Sequence, residues 1–114
     1  MKISDIQKGP LDELIRIGAD IVGRQMTKAS AGNLSMLDPE NREAMIVTGA
    51  GTWLNRLDNE SFVKMTLDGE IIDGDMEPST EWRMHAGIYK QRPDAHFVVH
   101  AHPKHSVLLD ALGK

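Results

Sequence analysis

The chain has 114 residues, 40% of them hydrophobic, with a formal net charge of −4 and no cysteine. That length supports one small domain around one core. The charge leaves no basic patch for bulk nucleic-acid binding, and the missing cysteine removes disulfides and thiolate metal sites. No apolar run reaches membrane length and the first residues lack an apolar signal core, so a soluble, cytoplasmic protein with no membrane partner is expected.

From Pro10 to Lys28, the residues Leu11, Leu14, Ile15, Gly18, Val22 and Met26 recur at spacings of three and four, opposite Asp12, Glu13, Arg16, Asp20 and Arg24. This is an amphipathic helix whose first turn accepts proline at no cost. Residues 29–33 break it. Leu34 to Leu37 predicts a short strand, Asp38 to Asn41 a turn, and Ala44 to Thr48 a second strand. A glycine-rich loop follows at Gly49 to Thr52. Phe62 to Ile72 predicts a hairpin around Leu67, Asp68 and Gly69. Ser79 or Thr80 can cap a helix running to Gln91, stopped by Arg92 and Pro93. His96 to Ala101 predicts a buried strand, and Pro103 opens a helix over 104–112. Helices at both ends and in the middle, with hairpin-linked strands between them, predict an α/β fold. Its central sheet is mixed and largely antiparallel, with helices packed on its faces.

The chemistry gathers near the end of the chain. His100 and His102 stand two apart on the last predicted strand, so both point to one face and can grip one metal ion. The plainer alternative is one buried, hydrogen-bonded histidine beside one edge histidine. His105 is either a partner that holds a ligand's tautomer or an exposed helical residue. Glu81 lies in a first helical turn, where a carboxylate complements the helix dipole; beside a metal it would be a general acid/base. His85, four residues on, shares its face and suits packing or hydrogen bonding better than catalysis. Three segments can hold an anion on backbone amides and hydroxyls: Ser30 to Asn33, Thr48 to Gly51, and Ser79 with Thr80 at a helix start.

In order and spacing, these pieces resemble the class II aldolase/adducin family. The matching stretches are Ser30 to Ser35, Ile46 to Gly49, Pro78 to His85, Tyr89, Arg92 to Ala95, and Val98 to His102 with His105. Within the family the likeness is strongest to the branch that acts on L-fuculose 1-phosphate. The resemblance implies a three-layer sandwich and a ketose 1-phosphate substrate split by retro-aldol cleavage into dihydroxyacetone phosphate and an aldehyde. It implies phosphate binding by Gly32, Asn33, Thr48, Gly49, Ser79 and Thr80, with Glu81 as the catalytic acid/base. It also implies one zinc, or another divalent metal, per subunit, held by His100 and His102 in a homotetramer. A metal of this kind is the Lewis acid that such chemistry needs, because cleavage leaves negative charge that must be delocalised as an enediolate. Family epimerases carry aspartate where this chain has Glu81, which favours an aldolase; other sugar-phosphate chemistry on the same site, or a non-catalytic adducin-like domain, are the alternatives. Family aldolases are longer and carry their third zinc histidine in a second half. No histidine follows His105 here, so the chain is expected to be an amino-terminal portion of such a domain.

Overall fold

The computed structural model describes residues 8–24, 32–92, 94–101 and 107–109. In chain order these form helix α1 (Lys8–Gly23), strands β1 (Gly32–Asp38) and β2 (Asn41–Thr48), and a 3-10 turn (Asn59–Ser61). Strands β3 (Phe62–Thr66) and β4 (Ile71–Asp73), helix α2 (Trp82–Gln91), and strands β5 (Phe97–Ala101) and β6 (Val107–Leu109) follow. The strands make one sheet in the order β4-β3-β2-β1-β5-β6, and its five pairings are all antiparallel. Helices cover both faces, so the expected α/β sandwich is the observed fold, its sheet antiparallel in every described pairing where the sequence predicts a mixed, largely antiparallel one.

The period-two alternation of the strands divides the core. On one face, Leu34, Met36, Ile46, Phe62 and Val99 pack against Leu11, Leu14 and Ile21 of α1 and against Leu54 and Leu57 of the connecting loop. On the other, Leu37, Met45, Val47, Val63, Met65 and Val98 pack against Ala86 and Tyr89 of α2. Burying these side chains, at about 1.5–3 kcal/mol each, is the main force that holds the layers together. Helix α2 is also pinned across the β3–β4 turn. Gly69, at φ 107°, leaves room where a Cβ would stand 2.9 Å from the Trp82 ring, and Lys90 Nζ bonds Asp68 Oδ1 at 2.9 Å.

Three local readings are corrected. Helix α2 begins at Trp82, with Glu81 as its N-cap residue, one or two positions after the expected cap. The helix predicted over 104–112 gives way at Val107–Leu109 to a strand paired with β5. Three apolar residues complete the ladder beside the outer edge of β5, and that pairing overrides a weak local helical preference. The first helix spans Lys8–Gly23 rather than Pro10 to Lys28, with Arg24 already in a turn; residues 25–28, and residues 104–106 and 110–112 of the last predicted helix, lie outside the described residues. Among the described residues no helix is long and apolar enough to cross a membrane.

Gly18 shows how closely α1 sits on the loop that follows β2. A Cβ there would stand 2.4 Å from the Leu54 carbonyl oxygen and 2.9 Å from Leu57 Cδ1. In an exposed helix, Gly→Ala stabilises by about 1 kcal/mol. Here overpacking, at about 1–3 kcal/mol, should reverse the sign, and Gly18→Ala is expected to lower the urea midpoint. A raised midpoint would show that α1 shifts freely over the loop.

Candidate active site

The carboxyl ends of β2 and β5, the start of β1 and the approach to α2 meet at one end of the sheet. Thr48 is fully buried, and its hydroxyl accepts the Leu34 amide at 3.2 Å, closing the ladder between β1 and β2. Gly49 forms a bridge with Pro78. The Ser79 amide donates to the Thr48 carbonyl at 3.0 Å, and the Ala50 amide to the Glu77 carbonyl at 2.9 Å. Gly32 and Asn33 open β1, with Gly32 at φ 127°, and pair in register with Ala101 and His100. Gly32, Asn33, Thr48, Gly49 and Ser79 are thus contiguous, and Thr80 follows as an exposed residue. The source of anion-binding groups changes, however. The Gly49 amide donates to the Ser61 carbonyl at 2.8 Å, and the Ser79 amide is taken by Thr48, so those two amides serve the fold. Beside them stand the side chains of Asn33 and Ser79, each 6% exposed, and of Thr80, which is exposed. Ser30 and Ala31 lie outside the described residues.

Ser79 shapes the helix entrance. Its hydroxyl accepts the Glu81 amide at 3.2 Å, and its carbonyl accepts the Trp82 amide at 3.0 Å. Glu81 sits at φ −91°, ψ 10°, and its carboxylate makes no capping hydrogen bond. It is half-buried and lies one helical turn before His85, whose amide reaches the Glu81 carbonyl at 3.4 Å.

His85 belongs to a network that local sequence patterns do not reveal. It is fully buried. Its Nε2 hydrogen-bonds Asn33 Oδ1, its Nδ1 lies 2.6 Å from Ser35 Oγ, and Ser35 Oγ lies 2.7 Å from the Tyr89 hydroxyl. The signal was a pair of spacings: Asn33 and Ser35 two apart on one strand face, His85 and Tyr89 four apart on one helix face. Only the packing of α2 over β1 makes them complementary. Burial, and secondarily the nearby His100, lower the His85 pKa from 6.5 to about 3, so the ring is neutral and both its nitrogens are engaged.

Because the folded pKa lies below the unfolded one, the unfolded chain takes up the proton first as pH falls. The stability His85 supports is therefore intact above pH 6.5 and is lost between pH 6.5 and about 3, at roughly 1.4 kcal/mol per pH unit. The stability difference between the parent protein and His85→Gln should shrink at that rate, as measured by urea unfolding at pH 7, 5.5 and 4.5. A difference that stays constant would mean that the folded protein protonates His85 readily.

His100 is half-buried on β5, and the alternation puts it on the same sheet face as Val98, Asn33 and Ser35, the face that α2 covers. His102 and His105 lie outside the described residues. Among the described residues, no group of three or more His, Asp or Glu side chains is placed to hold a metal. His85 is not a spare ligand for one, since both ring nitrogens are used inside the fold.

A family model described as the class II aldolase and adducin N-terminal domain matches residues 12–114. A 3-oxo-tetronate 4-phosphate decarboxylase of Escherichia coli O6:H1 is 35% identical over 107 residues, 94% of this chain and 49% of that protein. A methylthioribulose-1-phosphate dehydratase of Methylococcus capsulatus is 38% identical over 100 residues, 88% of this chain and 48% of that protein. In three dimensions the chain is similar to an L-fuculose 1-phosphate aldolase, with a TM-score of 0.76 and 33% identity, over 85% of this chain and 45% of that one. The chain spans about half the length of the curated relatives it matches.

Proposed function

The chain belongs to the class II aldolase and adducin N-terminal domain family, and on that premise we propose that it is the amino-terminal part of a metal-dependent lyase acting on a phosphorylated ketose. The reaction is retro-aldol cleavage of a ketose 1-phosphate resembling L-fuculose 1-phosphate, giving dihydroxyacetone phosphate and an aldehyde. The observation that supports this reading is the joining of the candidate phosphate segments to one another at the same sheet end as His100 and the Glu81 turn.

In this reading Asn33, Ser79 and Thr80 bind the phosphate, while Thr48 and Gly49 hold their segments in place. Phosphate binding orients the sugar so that its reacting carbons lie over the first turn of α2, which converts substrate affinity into alignment. Glu81 holds or moves the proton at the reacting carbon. His100 and His102 are the chain's own ligands for zinc or another divalent ion. When bound, that ion supplies a Lewis acid for the charge that develops on the ketone oxygen. Imidazole nitrogen suits such an ion, and His100 shares the covered face with Asn33, while His85 is held inside the fold. The working form in this reading is a cytoplasmic homotetramer.

Decarboxylation of a phosphorylated 3-oxo acid is the second reading, favoured by the 35% identity to the decarboxylase. It makes the same demand, since negative charge again develops beside a carbonyl. Product analysis of the metal-loaded protein separates the two. Dihydroxyacetone phosphate released from L-fuculose 1-phosphate supports the aldolase. Carbon dioxide released from 3-oxo-tetronate 4-phosphate, with no dihydroxyacetone phosphate from any ketose 1-phosphate, overturns it in favour of the decarboxylase.

A further inference from the structure

We propose that His85 is a positioning residue that sets the polarity of the Asn33 side chain, so that the amide nitrogen of Asn33, and not its carbonyl oxygen, is offered to the substrate phosphate. The inference rests on the phosphate-binding reading of Asn33 given above.

A primary amide has two ends of nearly equal shape and opposite hydrogen-bonding character. Only the NH₂ end attracts an anion; the carbonyl end repels it. Asn33 stands at the start of β1 with 6% exposure, and because its two amide ends are nearly alike in shape, packing alone does not choose between them. His85, Ser35 and Tyr89, at 0%, 0% and 3% exposure, make the choice chemically. A neutral imidazole has one donor and one acceptor. With Asn33 Oδ1 against Nε2, Nε2 must carry the hydrogen, because a carbonyl oxygen only accepts. Nδ1 then accepts from the Ser35 hydroxyl at 2.6 Å, and Ser35 Oγ accepts from the Tyr89 hydroxyl at 2.7 Å. The reversed chain is also self-consistent, with Asn33 donating to Nε2 and Nδ1–H donating to Ser35, but it turns the carbonyl of Asn33 toward the site. A phenol donates more strongly than an alcohol, so the Tyr89 hydroxyl beside Ser35 favours the first direction. The network thus carries a donor preference from the middle of α2 to the mouth of the site, through groups that never touch substrate.

The test uses inorganic phosphate as the probe, titrated into the protein, with nitrogen-15 NMR of the His85 ring. The Nε2–H tautomer is expected, and an Nδ1–H tautomer would overturn the proposal. His85→Phe and Asn33→Ala should each weaken phosphate binding on the order of 10-fold, and the double variant should bind no worse than Asn33→Ala, because His85 acts only through Asn33. Unchanged affinity in His85→Phe, beside a loss in Asn33→Ala, overturns the role of His85 and leaves the phosphate reading standing. Unchanged affinity in Asn33→Ala removes the phosphate reading itself. If His85→Phe does not fold, Ser35→Ala carries the test. It removes the donor to Nδ1, so a mixture of tautomers and weaker phosphate binding are expected; the parent tautomer with parent affinity would overturn the proposal.

Discussion

Under the proposed lyase function, a protein carrying Glu81→Gln should turn over a phosphorylated ketose on the order of 10²–10⁴-fold more slowly than the parent, with little change in substrate affinity. The geometry makes the substitution clean. Glu81 is half-buried at the entrance of α2, and its carboxylate makes no capping hydrogen bond to the helix. The turn is held instead by backbone groups and by the Ser79 hydroxyl. Glutamine keeps the shape and removes the capacity to exchange a proton together with the negative charge. The competing role for Glu81 is to complement the helix dipole, which is worth about 0.3–1 kcal/mol of stability and nothing in turnover. Steady-state kinetics therefore distinguish the two: kcat should fall while KM holds. A variant with near-parental kcat and a slightly lower unfolding midpoint would reduce Glu81 to the dipole role.

The largest stability effect is expected at Lys64. Its Nζ lies 2.8 Å from Asp38 Oδ2, and the two side chains are 4% and 1% exposed, so this ion pair is buried within the fold. Removing one partner of a buried pair leaves an uncompensated charge, at a cost of about 3–5 kcal/mol. Small domains have about 5–15 kcal/mol in all, so Lys64→Met should consume much of the total. Adding Asp38→Asn should recover most of the loss, because asparagine removes the stranded charge and can still accept the Glu40 amide that Asp38 Oδ1 holds at 2.9 Å in the β1–β2 turn. Urea unfolding of the parent, the single and the double variants measures this directly. A loss below about 1 kcal/mol in Lys64→Met would show that water reaches the pair and behaves as it does at surface ion pairs.

Local patterns determined much of this protein. The apolar spacing of the first helix, the alternation in β1 and β2, the turn between them and the hairpin at Gly69 all depend on neighbours a few residues apart; the strands, turn and hairpin appear where their residues imply, and the helix appears over Lys8–Gly23, short of its predicted end. The order of the Gly32–Asn33, Thr48–Gly49 and Ser79–Thr80 segments, with Glu81 and His100 beyond them, likewise carried the family likeness without coordinates.

Tertiary structure decided what depends on pairing across long separations. Val107–Leu109 became a strand because the outer edge of β5 offers hydrogen bonds that no local preference reveals. Lys64 sits in a strand whose lysine would ordinarily face water, and only the register of β1, β2 and β3 sets it beside Asp38. The amides of Gly49 and Ser79 read as anion-binding groups until the bridge to Pro78 and the approach of Ser61 consume them. The buried partner of the Asn33 side chain is a histidine 52 residues away. Sequence periodicity reports which way a side chain points; the partner it meets is fixed by sheet register and helix docking, which bring distant residues together as the apolar faces close.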